Sequence, residues 1–299
     1  IKVMNELESF CPKCGNDSMI KFETKDYNCR ISDHIFTYRE CIECSLIFLS
    51  NIPENLENYY QDDYFEIPSK EKLIKIASKI EYQIEMIKIF TSKGRLLDIG
   101  SAFGAFAFAA KDSGFIVDSI EMNELCCKYL SEEVKVNVYQ GDKPQEIIRD
   151  LGFYDVITLW HNIEHLIEPW SVLKEVAAKI SPGGIILVAT PSPNSFAFKL
   201  LGSLWPHIDA PRHINLIPEK LLTEYLEDYG FQRVMKTTCD KGGLSWNRLS
   251  WQRILMNSFS SRTMKRISFI IGWIISLPFA IIENRENHGS AYTVIYQKK

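Results

Sequence analysis

The run Leu96-Leu97-Asp98-Ile99-Gly100-Ser101-Ala102-Phe103-Gly104 constrains the fold of this chain more than any other. It reads as a β-strand that turns sharply into a helix. Glycines at 100 and 104 permit a tight turn and let the backbone approach a ligand that a Cβ would exclude. The free N–H groups at the start of the following helix favour an anionic partner such as a carboxylate. A dinucleotide fingerprint would read G-x-G-x-x-G. Here position 102 is Ala and the acidic residue precedes the first glycine, which disfavours a nicotinamide cofactor.

Around this turn, apolar patterning alternates between strand and helix. Strands are expected at 95–99, 116–120, 136–139, 154–160 and 185–189, with helices at 105–113, 124–131 and 170–180. This βαβα order predicts a parallel sheet covered on both faces. Further on, 218–229 reads as a helix ending at Gly230, followed by strands at 231–237 and 292–297. Upstream, Leu73, Ile76, Ile80, Ile84 and Ile87 recur at helical spacing within 70–90.

Four of the eight cysteines form two C-x-x-C pairs, Cys11 with Cys14 and Cys41 with Cys44. Such pairs let four thiolates converge on one tetrahedral zinc ion. The loop between them is longer than the common ribbon spacing, which leaves Cys29 and His34 open as substitutes for one ligand. Residues 1–50 therefore read as a zinc-ribbon module with short β runs at 19–23, 35–38 and 46–49. Residues 51–90 read as an aromatic linker and helix forming a lid, with Tyr59, Tyr60, Tyr64 and Phe65, and 91–299 as the main domain. Metal-type cysteine spacing, with no long apolar run at 1–10, points to a reducing cytoplasm. A net charge of −4 weighs against nucleic acid bound through a broad basic surface.

Acidic and imidazole side chains fall at the expected strand ends. Glu121 lies about 20 residues past the glycines, where a ribose-binding carboxylate belongs. Gly141 and Asp142 follow the third strand and suit an adenine ring. The fourth strand leads into His161-Asn162-Ile163-Glu164-His165-Leu166, at the edge where open α/β sheets bind ligands. A histidine there can take a proton near neutral pH. Glu164 with His165 reads equally well as a capping or core pair.

This ordered set resembles the successive motifs of class I S-adenosylmethionine-dependent methyltransferases, and the turn Ser181-Pro182-Gly183-Gly184 is similar to that family's P-G-G turn. The resemblance covers residues 91–240. It implies an α/β Rossmann-like fold with a mostly parallel seven-stranded sheet beside the small β ribbon. It implies that Asp98, Gly100 and Gly104 surround the methionine part of S-adenosylmethionine and that Glu121 holds the ribose. Met122 would pack beside the adenine and Asp142 would meet its amine, with Ser101, Gly141 and Trp160 also lining the cofactor.

The whole chain resembles bacterial methyltransferases of sugar and surface-polysaccharide pathways, in its four-cysteine module, tyrosine-rich linker and E-H-L segment. That likeness implies a small-molecule or glycan acceptor, a hydroxyl of a sugar nucleotide or glycan, with His165 as base. His161 would orient the substrate, and His213 would close the site from an aromatic, His-rich loop at 205–213 that suits a polar ring. The chain is too short for the further C-terminal domain of the sugar C-methyltransferases, which points away from C-methylation. A second resemblance is to metal-dependent O-methyltransferases, including those acting on RNA 2′-hydroxyls. There His161, Glu164, His165 and His213 would form a His/carboxylate metal site, although His161 stands where that family's motif has its first Glu. A third reading is a non-catalytic binding protein with a vestigial nucleoside site.

Within an apolar insertion at 245–290, residues 267–282 are almost wholly apolar. That run is shorter than the ~20 residues of a spanning helix. It reads as a buried or interface helix, a dimer contact included, with peripheral membrane attachment of a cytoplasmic protein and a membrane span as the alternatives.

Overall fold

The computed structural model describes residues 9–60, 66–259 and 261–299. Strands β1 (Ser18–Thr24), β2 (Phe36–Cys41) and β3 (Ile47–Leu49) come first, then helices α1 (Lys70–Lys79) and α2 (Glu81–Lys88). Strand and helix then alternate: β4 (Arg95–Ile99), α3 (Ala105–Asp112), β5 (Ile116–Glu121), α4 (Glu124–Tyr129), β6 (Asn137–Gln140), α5 (Pro144–Asp150), β7 (Tyr154–Trp160), α6 (Pro169–Lys179) and β8 (Ile180–Pro191). After these come α7 (Phe196–Leu201), β9 (Asn215–Leu216), α8 (Glu219–Glu227), β10 (Phe231–Thr237), α9 (Lys241–Met256), α10 (Arg262–Glu283) and β11 (Ala291–Lys298).

Seven strands form the main sheet in the order β10-β11-β8-β7-β4-β5-β6. Its pairs from β8 to β6 are parallel, and β11 runs antiparallel between β8 and β10. This is the mostly parallel Rossmann-like seven-stranded sheet that the sequence led us to expect. Its inner strands are apolar on both faces (Leu96 and Leu97 on β4, Val156 and Ile157 on β7, Ile186 and Leu187 on β8) because helices cover both sides. Chain order reverses at β4, which pairs with β5 on one side and β7 on the other. The crevice at such a reversal, outside the strands' carboxyl ends, is where this architecture binds ligands.

Several local readings shift. The single helical stretch at 70–90 is two helices that meet at Ile80. The helix expected at 124–131 ends at Tyr129 and continues as a π-turn over Leu130–Val134. The strand expected from 185 begins at Ile180: Tyr154 pairs with Ile180 and Val156 with Ile185, so 181–184 bulge out of register. Residues 61–65, including Tyr64 and Phe65 of the aromatic linker, lie outside the described residues. Helices α5, α7 and α9 carried no periodicity strong enough to be read.

The cysteine module forms a second sheet in the order β1-β2-β3-β9, whose fourth strand comes from the main domain. Arg212 fastens the two units. Its fully buried guanidinium donates to Asp26 at 2.9 Å and to Asp209 at 2.8 and 2.9 Å, and to the Tyr59 carbonyl at 3.2 Å. Asp26 in turn accepts from the backbone N–H groups of Cys29 and Ile31 at 3.0 Å, folding the module's long loop around the pair. Burial alone would raise the Asp209 carboxyl, but Arg212 and then His213 hold it below its usual range. Removing one member of such a buried network strands the opposite charges. Arg212→Met is therefore expected to lower unfolding free energy by about 3–5 kcal/mol in urea titration. A loss under about 1 kcal/mol, the scale of an exposed pair, would show that Arg212 does not hold the units together.

Candidate active site

The glycine turn after β4 is held from three sides. Asp98 is buried and accepts a 2.8 Å hydrogen bond from Thr158, its register partner on β7. Burial, opposed by that hydrogen bond, pushes the Asp98 carboxyl up to about 6. Ser101 Oγ donates to the Asp98 carbonyl at 3.1 Å. Gly100 sits at φ +76°, and a Cβ there would lie 2.0 Å from Asn162 Nδ2. Two motifs some sixty residues apart thus meet backbone to side chain at the crevice. Gly104, at φ +79°, caps α3.

Glu121 ends β5 and ties this turn to the next strand. Its Oε2 accepts from Ala102 N–H at 2.8 Å, and its Oε1 accepts from Met122 and Asn123 N–H at 2.9 Å each. A carboxylate offers about four lone-pair sites, so about one remains for a ligand. Met122 is exposed beside it, Gly141 N–H donates to the Glu121 carbonyl at 3.0 Å, and Asp142 is exposed one residue on. These residues share the carboxyl edge of β5 and β6.

The end of β7 carries a concentration of unmet polar groups. Trp160 Nε1, His161 Nδ1, Asn162 Oδ1 and Glu164 Oε1 are buried and have no hydrogen-bond partner among the described residues. An unpaired buried polar group costs roughly 1–3 kcal/mol. Asn162, one of the four, is the residue that Gly100 of the glycine turn approaches.

Behind these groups lies a charged and imidazole network. Glu164 is fully buried and accepts from Thr190 Oγ1 at 2.8 Å. Burial would raise its carboxyl, yet His161, His213 and His165 together bring it down to about 2. His161 stacks on Trp246 of α9 at 4.3 Å, with its Nδ1 3.7 Å from Glu164 Oε1, beyond hydrogen-bonding reach. His165 Nδ1 lies 3.0 Å from the Arg212 carbonyl and 3.1 Å from Tyr60 Oη. A carbonyl only accepts, so Nδ1 carries the proton and Nε2 keeps a free lone pair. Burial, reinforced by His213, lowers His165 to about 4, which leaves the ring neutral at pH 7.

His213 lies edge-on to His165 at 4.6 Å and donates from Nδ1 to the His207 carbonyl at 2.8 Å. Glu164, His165 and His213 offer ligand atoms within 4.8 Å of one another, a donor set with the chemistry of a transition-metal site rather than a magnesium site. The loop at 205–213 is otherwise a packed wall: Trp205, His207, Ile208 and Arg212 are buried, and His213 alone of its histidines faces this cluster.

The four module cysteines converge separately. Their Sγ atoms stand 3.6 Å (Cys11–Cys44), 3.5 Å (Cys14–Cys41) and 3.8 Å (Cys14–Cys44) apart. A tetrahedral zinc with ~2.3 Å Zn–S bonds needs edges of roughly 3.8 Å, so the set fits that ion. Each knuckle turns on a left-handed residue just after its second cysteine, Gly15 at φ +73° and Ser45 at φ +58°. Cys29 and His34 are not part of the cluster.

Five residues of the site were not singled out from the sequence for these roles: Thr158, Asn162, Tyr60, Arg212 and Trp246. Thr158 was accessible in principle, as the register partner of Asp98. Trp246 gave no signal, because α9 itself was not legible. Gly100→Ala is expected to lower the melting temperature by several degrees, as a residue of about 1 kcal/mol left-handed strain would be pressed against Asn162. An unchanged melting temperature would show that this approach is not tight.

A family profile described as a methyltransferase domain matches residues 74–236. Curated relatives include a ubiquinone biosynthesis O-methyltransferase of Coxiella burnetii (strain Dugway 5J108-111), 30% identical over 134 residues, 43% of this chain and 55% of that protein. Another, of the same description from Bordetella avium (strain 197N), is 32% identical over 117 residues, covering 36% and 48%. The chain spans about half the length of the curated relatives it matches. Solved structures of similar fold include a SAM-dependent methyltransferase from Archaeoglobus fulgidus (TM-score 0.51, 21% identity, 74% of this chain and 94% of that one). Coclaurine N-methyltransferase is another (TM-score 0.53, 17% identity, 83% of each chain). With the profile covering more than half of its length and the sheet order and glycine turn in place, the chain belongs to the methyltransferase domain family.

Proposed function

We propose that this protein is an S-adenosylmethionine-dependent O-methyltransferase for a small polar acceptor, with a zinc ribbon fixed to its side. The observation that carries the reading is the neutral His165, oriented through Nδ1, in the segment after β7 whose Asn162 is pressed against Gly100 of the glycine turn. S-adenosylmethionine, when bound, supplies an electrophilic methyl group. Gly100 and Gly104 leave the backbone open to it, Asp98 lines the turn, and Glu121 has a lone pair left for a ribose hydroxyl. Met122, Gly141 and Asp142 border the adenine side, and Trp160 borders the crevice from β7.

His165 Nε2 takes the acceptor's proton, and the neighbouring Glu164 carboxylate steadies the imidazolium that forms. The Arg212 carbonyl keeps the ring turned. His161, braced on Trp246, orients the acceptor. Positioning supplies much of the rate in direct transfer of this kind. The O-methyltransferase relatives support a hydroxyl acceptor, and the choice of a sugar nucleotide or glycan rests on the sequence resemblance of the cysteine module, tyrosine-rich linker and E-H-L segment alone. A second reading, metal-assisted transfer to a hydroxyl such as an RNA 2′-OH, is favoured by the Glu164–His165–His213 set, in which His165 would be a ligand rather than the base.

A methyl-transfer screen over sugar nucleotides, glycans, quinone precursors and RNA identifies the acceptor. On it, His165→Gln should reduce turnover by about 100-fold or more while cofactor affinity holds. Because the His165 value is depressed, the base stays competent as pH falls through 6, and rate should drop only as pH nears about 4. An acid limb near 6.5 would place the base elsewhere, and loss of activity on chelation, with the ribbon metal retained, would favour the metal reading. Glu121→Ala should weaken S-adenosylmethionine binding by roughly 1.5–3 kcal/mol in calorimetry. Elemental analysis should find about one zinc per chain, lost in Cys14→Ser.

A further inference from the structure

The hairpin of α9 and α10 is built inside out. On α10, the residues turned inward are Ser268, Gly272, Ser276 and Glu283. A Cβ on Gly272 would lie 2.6 Å from both Gln252 Cα and the Trp251 carbonyl, so the helices meet backbone to backbone. Polar groups close the seam. Trp251 Nε1 donates to Glu283 Oε2 at 2.9 Å and Asn247 Nδ2 to the Glu283 carbonyl at 3.0 Å. The apolar residues face outward: Ile270 is 59% exposed, Ile274 53% and Ile281 68%, with Phe269, Ile271 and Trp273 among them. A surface helix in water has the opposite arrangement. A continuous apolar face of this size marks an interaction surface.

Charge identifies the partner. Residues 241–282 contain Lys241, Arg248, Arg253, Arg262, Lys265 and Arg266 and no Asp or Glu, in a chain whose net charge is −4. Glu283, the first acid after them, is buried. A second copy docked symmetrically on this face would bring like charges together. An anionic lipid surface compensates them.

We propose that the α9–α10 hairpin is a monotopic attachment surface for an anionic phospholipid bilayer. It lies in the interfacial plane, with the outer face of α10 at the acyl boundary and the exposed Arg262, Lys265 and Arg266 among the headgroups. At 22 residues, α10 is long and apolar enough to cross a membrane, but two features keep it flat. Arg262, Lys265 and Arg266 occupy its first turns at the hairpin tip, where crossing would drag them through hydrocarbon. The hairpin is also fastened to the body near both ends. Asn257 Nδ2 donates to Asn28 Oδ1 of the ribbon module at 2.8 Å, and Cys239 Sγ to the Asn284 carbonyl at 3.3 Å. The opposite side of α9 carries Trp246 onto His161, so the lipid-facing surface stands one helix from the acceptor side of the crevice. The proposal does not depend on the methyl-transfer reading, since its test measures binding to lipid.

The test is co-sedimentation of the full chain with vesicles of phosphatidylcholine alone or mixed with phosphatidylglycerol. The wild type should pellet with the mixed vesicles, more weakly with phosphatidylcholine, and be partly released by salt. Ile270→Glu with Ile274→Glu should weaken binding to the mixed vesicles about tenfold or more. Replacing Arg262, Lys265 and Arg266 with Gln should reduce it to the phosphatidylcholine level. Circular dichroism verifies folding, and Ile281→Glu alone is the milder variant should the pair not fold. The proposal fails if the wild type pellets no better than without lipid, or if the glutamate variants bind like wild type. A stable lipid-free dimer in light scattering that those variants dissociate would also overturn it, because the face would then belong to a second copy.

Discussion

The guanidinium of Arg212 organises this molecule. It sits with no solvent contact between Asp26 of the cysteine module, Asp209 of the adjoining loop and the Tyr59 carbonyl of the linker. Three segments far apart in sequence are thereby fixed to one planar cation, whose fork of donors matches carboxylates in a way a lysine would not. The same residue's carbonyl accepts from His165 Nδ1. The position of the ribbon and the orientation of the candidate base are therefore set by one residue. The cysteine module shares a core with the main domain through this docking: Tyr38 and Phe36 pack with Trp205, Ile208 and Leu216.

Electrostatics in the crevice follow from burial acting on groups with different partners. Asp98, with one hydroxyl donor, is pushed up to about 6, whereas Glu164, surrounded by three imidazoles, is held down to about 2. His165 is kept neutral by burial and by His213. Within one small region the fold thus provides a carboxyl that ionises reluctantly, a permanent carboxylate and a neutral imidazole, which is how environment divides acid and base roles among similar side chains.

The hairpin α9–α10 and the crevice share a wall. Trp246 is sandwiched against His161 and His207, and Trp251 on the next turns is held by Glu283 of α10. Small residues at the seam leave little side-chain volume between the two helices to repack.

Much of this was legible in the residues themselves. The strand–glycine–helix signal at 96–104, the alternation that follows, and the acid at 121 are local patterns, and local patterns survive without a tertiary context. The paired cysteines state their geometry through spacing alone. What the chain order could not show is whatever depends on distant partners. Arg212 reads as one more residue of a proline-bounded loop until Asp26, nearly two hundred residues away, is folded against it. Asn162 gains its meaning only when Gly100 is pressed against it, and β9 is too short to be read as a strand before β3 pairs with it. The apolar run at 267–282 announced a hydrophobic helix, but which side would face the protein was decided by packing. Ser268, Gly272 and Ser276 admit the close approach of α9, and that approach turns the isoleucines outward. Sequence determines periodicity and residue chemistry, while long-range contact decides which face is buried and which lone pair is left free.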